Sequence, residues 1–238
     1  NLTTKWLGLE LKNPFVPSAS PLSRSLDTAK QLEDAGAAAI VMYSLFEEAV
    51  RGEEEGMTRF LHHQDTGHAE ADSYLPSHQD FPGELDRYLE QVASLKATLE
   101  IPVIASLNGV TASGWMTHAK EIEDAGADAL ELNAYYVAGD IWEEGHYVEQ
   151  RYITLLKELL EHVSIPINMK LSPSFSSVGN MVRRLARDGH EILGHDVDFQ
   201  VAEQLAAEYA SVTAAASLQD CVSLQDGPRV LWLMIPHG

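Results

Sequence analysis

The chain's 238 residues, 45% of them hydrophobic, suffice for one sizeable core and predict a single domain. Lys and Arg number 16 against 36 Asp and Glu, and the resulting formal charge of −20 repels phosphate backbones and anionic lipid surfaces, which argues against nucleic-acid and membrane partners. Cys221 is the only cysteine, so no internal disulfide can form; together with an N-terminus lacking a signal-type apolar run, this makes the cytoplasm the expected location.

Taken in chain order, β-rich runs alternate with amphipathic ones. Strands are expected at residues 15–19, 38–42, 102–107, 129–132 and 166–171, and helices at 25–35, 83–99, 114–125, 148–162 and 177–188. This alternation predicts parallel βαβ units, because parallel neighbours need a crossover connection. An internal echo agrees. Glu33-Asp34-Ala35-Gly36-Ala37-Ala38-Ala39 recurs as Glu123-Asp124-Ala125-Gly126-Ala127-Asp128-Ala129. In each copy a helix ends, a glycine supplies the left-handed cap, and small residues lead into a buried strand.

The expected fold is therefore α/β, a TIM (β/α)8-type barrel. A third copy of the echo begins at Leu185-Ala186-Arg187-Asp188-Gly189, but His190 to Asp196 does not read as the strand that should follow. A complete barrel takes roughly 250 residues, so this one is expected to be incomplete or to have a divergent C-terminal portion. Residues 1–189 read as the barrel portion, with residues 46–82 as an insertion forming a loop or lid. Residues 190–238 read as an atypical tail with a helical pattern at 201–210 and no further clear βα unit.

Functional groups of a parallel barrel sit at the C-terminal ends of its strands. Those ends offer Ser18-Ala19-Ser20, Tyr43-Ser44, Ser106-Leu107-Asn108-Gly109, Asn133-Ala134-Tyr135-Tyr136 and Lys170-Leu171-Ser172. Lys170 stands out, since an ammonium ending an apolar strand is costly without an anionic partner. It can snorkel to the rim, balance a ligand anion, or act as a Schiff-base nucleophile. Asn108 and Asn133 offer amides to a ligand or serve as turn residues; Tyr135 and Tyr136 wall a pocket or pack the rim. His62, His63 and His68 match no strong metal template, so no metal site is expected, and Glu53-Glu54-Glu55 reads as a solvated acidic face.

Five stretches together resemble the dihydroorotate dehydrogenase-like family over about residues 2–189. They are Asn13 to Ser20, Ser44 to Glu48, Pro102 to Gly109, Gly126 to Asn133 and Pro166 to Pro173. The resemblance implies an FMN-dependent oxidoreductase of pyrimidine-biosynthesis type, with FMN at the barrel mouth and hydride transfer between its N5 and a small ring substrate. By position, Ala19 and Ser20 would lie under the flavin and Ser44 beside it. Asn108 and Asn133 would bond flavin or substrate, and Lys170 would sit at the N1–O2 edge, where a cation stabilises reduced flavin. The family's Cys or Ser base is replaced by Tyr136, a weak base at neutral pH, and the Lys usual at the end of the second strand is replaced by Tyr43. No counterpart of the family's phosphate-gripping Gly-rich turns follows Gly189.

Two other readings compete with the flavoprotein. A non-catalytic barrel remnant would act by binding or interaction, and as an incomplete barrel would gain from pairing as a homo-oligomer. A Schiff-base lyase would use Lys170 as its nucleophile.

Overall fold

A computed structural model describes residues 2–53, 83–109, 112–134, 136–171, 175, 177–187, 192–194, 199–208, 210, 212–217 and 220. Strand β1 (Thr4–Trp6) and strand β2 (Leu9–Leu11) form an antiparallel hairpin. Its turn holds Leu7 at φ 54 followed by Gly8 at φ 73, the left-handed pair that lets so short a connection close. Helix α1 (Leu26–Asp34) then leads to strand β3 (Ile40–Phe46), helix α2 (Glu84–Thr98) to β4 (Val103–Asn108), and α3 (Ala112–Asp124) to β5 (Ala129–Asn133). Helix α4 (Gly145–His162) leads to β6 (Ile167–Lys170), followed by α5 (Val178–Arg187). Strands β3 to β6 form one all-parallel sheet in chain order, with helices as crossovers. The architecture is α/β of TIM-barrel type and, among the described residues, incomplete.

The two faces of this sheet divide by alternation. Ile40, Met42 and Leu45, with Val103, Ala105 and Leu107 of β4, Leu130 and Leu132 of β5, and Ile167 and Met169 of β6, join Tyr88, Val92, Leu95 and Ile122 of the helices in the main apolar core. On the opposite face Val41, Ile104 and Ala129 pack against Leu7 and Leu11, so the hairpin plugs the N-terminal end of the barrel. Above this apolar layer the same face turns polar, with Ser106, Glu131, Asn133 and Asn168 all buried.

Sequence periodicity locates the five helices well, because each carries one apolar stripe and a legible stop. Residues 15–19, expected as the first strand, are not a regular one. Their carbonyls nevertheless accept from the N–H groups of Ala38 and Val41, so the segment runs along the β3 edge. The second strand ends at Phe46 rather than at Tyr43-Ser44. Its register against β4 shifts between Val41 and Ser44, and this turns Tyr43 outward onto Tyr88, with the Arg24 guanidinium over its ring.

In the tail the helical pattern expected at 201–210 falls on a helix, but the strands on either side of it were not expected. A further βαβ unit follows: β7 (Ile192–Gly194), α6 (Phe199–Glu208) and β8 (Val212–Ala214), with β7 parallel to β8. The two strands form a sheet of their own, separate from β3–β6. Their residues are too few and too broken by polar turns for periodicity to find them. The insertion beyond residue 53, with its histidines, lies outside the described residues, as do Tyr135, Ser172 and the last 18 positions. Among the described residues no helix is long and apolar enough to cross a membrane, and no group of His, Cys, Asp and Glu could hold a metal ion.

The repeated joint carries more than a cap. Gly36 and Gly126 hold φ of +104 and +100, where any side chain would be strained. The glutamate three residues earlier reaches sideways in both copies. Glu33 accepts from the N–H groups of Glu100 and Ile101 ahead of β4, and Glu123 accepts from those of Ser164 and Ile165 ahead of β6. Each therefore fastens the helix before one strand to the start of the next. Burial opposes the charge on both, but Lys30 and the backbone donors win at Glu33, which is lowered. At Glu123, Lys120 and the Ser164 hydroxyl and amide win, and the carboxyl falls from 4.5 to about 2.

A carboxylate with a lowered folded value stabilises fully above its ordinary value, and that contribution is lost as pH falls toward the folded one. Resistance to urea is thus expected to fall between pH 5 and 2. The Glu123→Gln protein should show a shallower acid loss by about 1–2 kcal/mol, discounted for the solvent at Ser164. Identical acid slopes for the two proteins would refute the fastening role.

Candidate functional site

The polar layer of the inner face converges on Ser106. Its Oγ accepts from Asn133 Nδ2 at 2.9 Å, lies 2.9 Å from Ser44 Oγ, and donates to Glu131 Oε1 at 3.4 Å. A hydroxyl has one proton, so with that proton spent on Glu131, the Ser44 hydroxyl must be the donor in its pair with Ser106. Glu131 Oε2 accepts from Asn168 Nδ2 at 3.4 Å, and Lys170 Nζ stands 3.5 Å from Glu131 Oε1. The Glu131 side chain is 5% exposed and that of Lys170 is 42% exposed. The carboxylate is thus deep in the barrel and its counter-charge reaches toward the mouth. A buried carboxylate needs such a partner, because desolvating it alone would cost several kcal/mol.

Register explains the convergence. Ser44 pairs with Ser106, Ser106 with Glu131, and Glu131 with Asn168, so four neighbouring strands present polar side chains at one level. One step nearer the C-terminal ends, Asn108 pairs with Asn133 and Asn133 with Lys170. The backbone of Ser106 is fixed from behind: its N–H donates to Tyr88 Oη at 2.8 Å, and that phenol donates to the Ser106 carbonyl at 3.0 Å.

The structure brings together Ser44, Asn133 and Lys170 of the expected site residues, with Asn108 beside them. It sets Ala19 against the apolar plug around Leu7 and Val41, and Ser20 caps a 3-10 turn, its carbonyl accepting from the Ser23 hydroxyl. Tyr136 belongs to another group. Its phenol donates to Glu143 Oε2 at 2.7 Å, and Arg151, which pairs with Glu143 Oε1 at 2.7 Å, stacks over the ring at 4.4 Å. The bond to Glu143, and then burial, raise the phenol above its ordinary value, which makes Tyr136 a worse base than free tyrosine. Glu131 and Asn168 were missed as functional residues. The signal was present, because Glu131 and Asn133 share a strand parity and so do Asn168 and Lys170, but parity alone does not say which face looks into the barrel.

No family model matches the chain. A stretch of 59 residues is 34% identical to YqeC of Bacillus subtilis (strain 168), provisionally named a 6-phosphogluconate dehydrogenase, and covers 25% of this chain and 19% of that protein. Among solved structures, dihydrodipicolinate synthase DapA-2 from Bacillus anthracis matches 91% of this chain and 68% of its own at 15% identity and a TM-score of 0.46. The 4-hydroxy-tetrahydrodipicolinate synthase of Methylacidiphilum fumariolicum SolV matches 91% and 67% at 14% identity and a TM-score of 0.46. The chain spans between 60% and 68% of the length of five solved structures it matches, these two among them.

These findings correct the flavoprotein expectation. The solved structures reported above are of dihydrodipicolinate synthase type, not dihydroorotate dehydrogenases, and the expectation of an FMN oxidoreductase acting on CH–CH groups in pyrimidine biosynthesis is corrected on that finding. The site has a physical reason to agree. Ser44 and the Asn133 amide are spent on Ser106, Ala19 is spent on the plug, and Lys170 faces a carboxylate of this chain, so these groups do not form a cradle for a flavin.

Proposed function

We propose that the chain is a Schiff-base lyase acting on a small carbonyl compound through Lys170. The observation that carries this reading is the pairing of Lys170, at the C-terminal end of a parallel barrel strand, with the buried carboxylate of Glu131 at 3.5 Å. Glu131 takes a proton from the ammonium, and the freed amine attacks the substrate's carbonyl carbon. The carbinolamine so formed loses its oxygen as water, leaving a protonated imine on Nζ. Glu131 gives its proton to the departing water and then takes the proton of the hydroxyl on the substrate's β-carbon. The bond between the α- and β-carbons breaks toward the cationic imine, which releases a carbonyl product and leaves an enamine. Glu131 returns the proton to the α-carbon, and hydrolysis of the resulting imine restores the amine. The Ser44–Ser106–Glu131 chain of hydroxyls holds the carboxylate in place.

Lys170 as nucleophile and Glu131 as its base thus replace Tyr136 in the catalytic role, and Asn108 and Asn133 flank the reacting carbonyl. Incubation with dihydroxyacetone or pyruvate followed by borohydride should leave a reduced adduct on Lys170, located by peptide mass spectrometry. It should be absent from the Lys170→Met protein. A failure to trap any carbonyl probe on Lys170 removes the lyase reading and puts the non-catalytic barrel in its place.

A further inference from the structure

Ser106 Oγ has three partners and three places for them. A hydroxyl offers one proton and two lone pairs, and no water reaches this one, since Ser106 has no solvent exposure. Asn133 Nδ2, which can only donate, fills one lone pair at 2.9 Å. The proton and the other lone pair are left for Ser44 Oγ at 2.9 Å and Glu131 Oε1 at 3.4 Å. Two arrangements satisfy all three partners.

With Glu131 ionised, the carboxylate can only accept, so the Ser106 proton points to it and the Ser44 hydroxyl donates to Ser106. With Glu131 protonated on Oε1, the acid's O–H donates to Ser106 Oγ, and the Ser106 proton must turn to Ser44 Oγ. Ser44 is half-buried rather than sealed, so its own proton can then turn to solvent. Asn168 Nδ2 suits both forms, because Oε2 accepts in the carboxylate and in the acid alike. Lys170 Nζ lies 3.5 Å from Oε1, so a proton leaving the ammonium arrives on the oxygen that Ser106 faces. Each buried polar atom of the network thus keeps a partner in either state, where a side chain that only donates at position 106 would strand one.

We infer that Ser106 is a positioning residue that turns between Glu131 and Ser44 as Glu131 gains and loses a proton, which lets one carboxyl work alternately as base and as acid. No proton passes along the serines; each keeps its own and changes only its direction. The use of this switch in catalysis rests on the lyase reading, whereas the switch itself does not. One consequence is that Ser44, a bond removed from Glu131, supports the protonated form. Without the Ser44 oxygen, Ser106 has nowhere to send its proton while it accepts from the acid. The ionised form loses less, a donor to one lone pair.

The Lys170→Met protein isolates the carboxyl. Among the described residues, the titratable groups near Glu131 are Lys170 on β6 and the Tyr88 phenol on α2, while β3 and β4 bring the hydroxyls of Ser44 and Ser106. Burial keeps Tyr88 protonated, so with Lys170 replaced Glu131 titrates there alone. Infrared spectroscopy follows the carbonyl stretch of the protonated carboxyl, assigned by its loss when Glu131→Gln is added. Adding Ser44→Ala should move the titration of that band about one pH unit lower, a tenfold weaker hold on the proton, and adding Ser44→Thr instead should leave it in place. With Lys170 present, Ser44→Ala should slow the borohydride-trapped adduct by about tenfold, and Ser44→Thr should not. A band that stays or rises with alanine overturns the inference, as does a threonine variant that behaves like alanine. A lowered band with no adduct on Lys170 in any protein keeps the switch and removes the lyase. An adduct in the parent with an unmoved band does the reverse.

Discussion

The Tyr88→Phe protein is expected to unfold about 2–4 kcal/mol more easily than its parent in urea, although the substitution deletes a single oxygen. Tyr88 sits on α2 with no solvent exposure, and its phenol both accepts from Ser106 N–H and donates to Ser106 C=O. It does so beside the point where the β3–β4 register slips between Val41 and Ser44. Phenylalanine would keep the ring and its edge contact with Tyr43, whose centroid is 5.1 Å away. What it would lose is the partner of two buried backbone groups, at about 1–3 kcal/mol each when left unpaired.

Burial drives the Tyr88 hydroxyl far above its ordinary value, so it stays a protonated donor at every working pH. The destabilisation should therefore be the same at pH 6 and pH 9. A loss under about 0.5 kcal/mol would mean that Ser106 finds other partners and that the phenol does not brace the strand.

Glu131→Gln is expected to slow the formation of the borohydride-trapped adduct on Lys170 by about a hundredfold, the usual scale for removing a positioned proton acceptor. Glutamine preserves the shape and can still accept from Asn168 or Ser106, so the network around it need not collapse. It cannot take the proton that the ammonium must shed before it attacks. The urea midpoint should stay close to the parent's, which separates loss of a base from general disruption of the barrel. If the adduct forms as fast with glutamine as with glutamate, Glu131 is only a counter-charge and the proton leaves by another route.

Several features were legible from the residues in order. The helices were, because helical spacing of apolar residues needs no knowledge of partners. The joint at Glu33 to Ala39 and its copy at Glu123 to Ala129 were legible as helix ends, since a left-handed glycine is a local requirement. The sideways reach of Glu33 and Glu123 was not, because their acceptor oxygens meet amides 67 and 41 residues away. Lys170 drew attention as a cation closing an apolar strand. Glu131, its partner, sits among leucines in Ala129–Asn133, where alternation marks two faces without naming the one that looks inward. The likeness to flavoproteins was carried by strand-end residues that this fold spends on one another, and no local pattern could show that.

The sequence by itself determined that strands and helices alternate, that the chain is strongly acidic, and that a lysine closes the fifth of the expected strands. These follow from spacing, composition and burial habit, each decided within a few residues. Only the tertiary structure decided that Ser44, Ser106, Glu131, Asn168 and Lys170 share one network, because strand register sets which side chains meet, and register is a property of packed neighbours. It also decided that Tyr136 pairs with Glu143, and that the tail's β7 and β8 pair with each other instead of extending the barrel sheet. Both depend on which neighbours each element packs against, and packing partners are not written in any one stretch of residues.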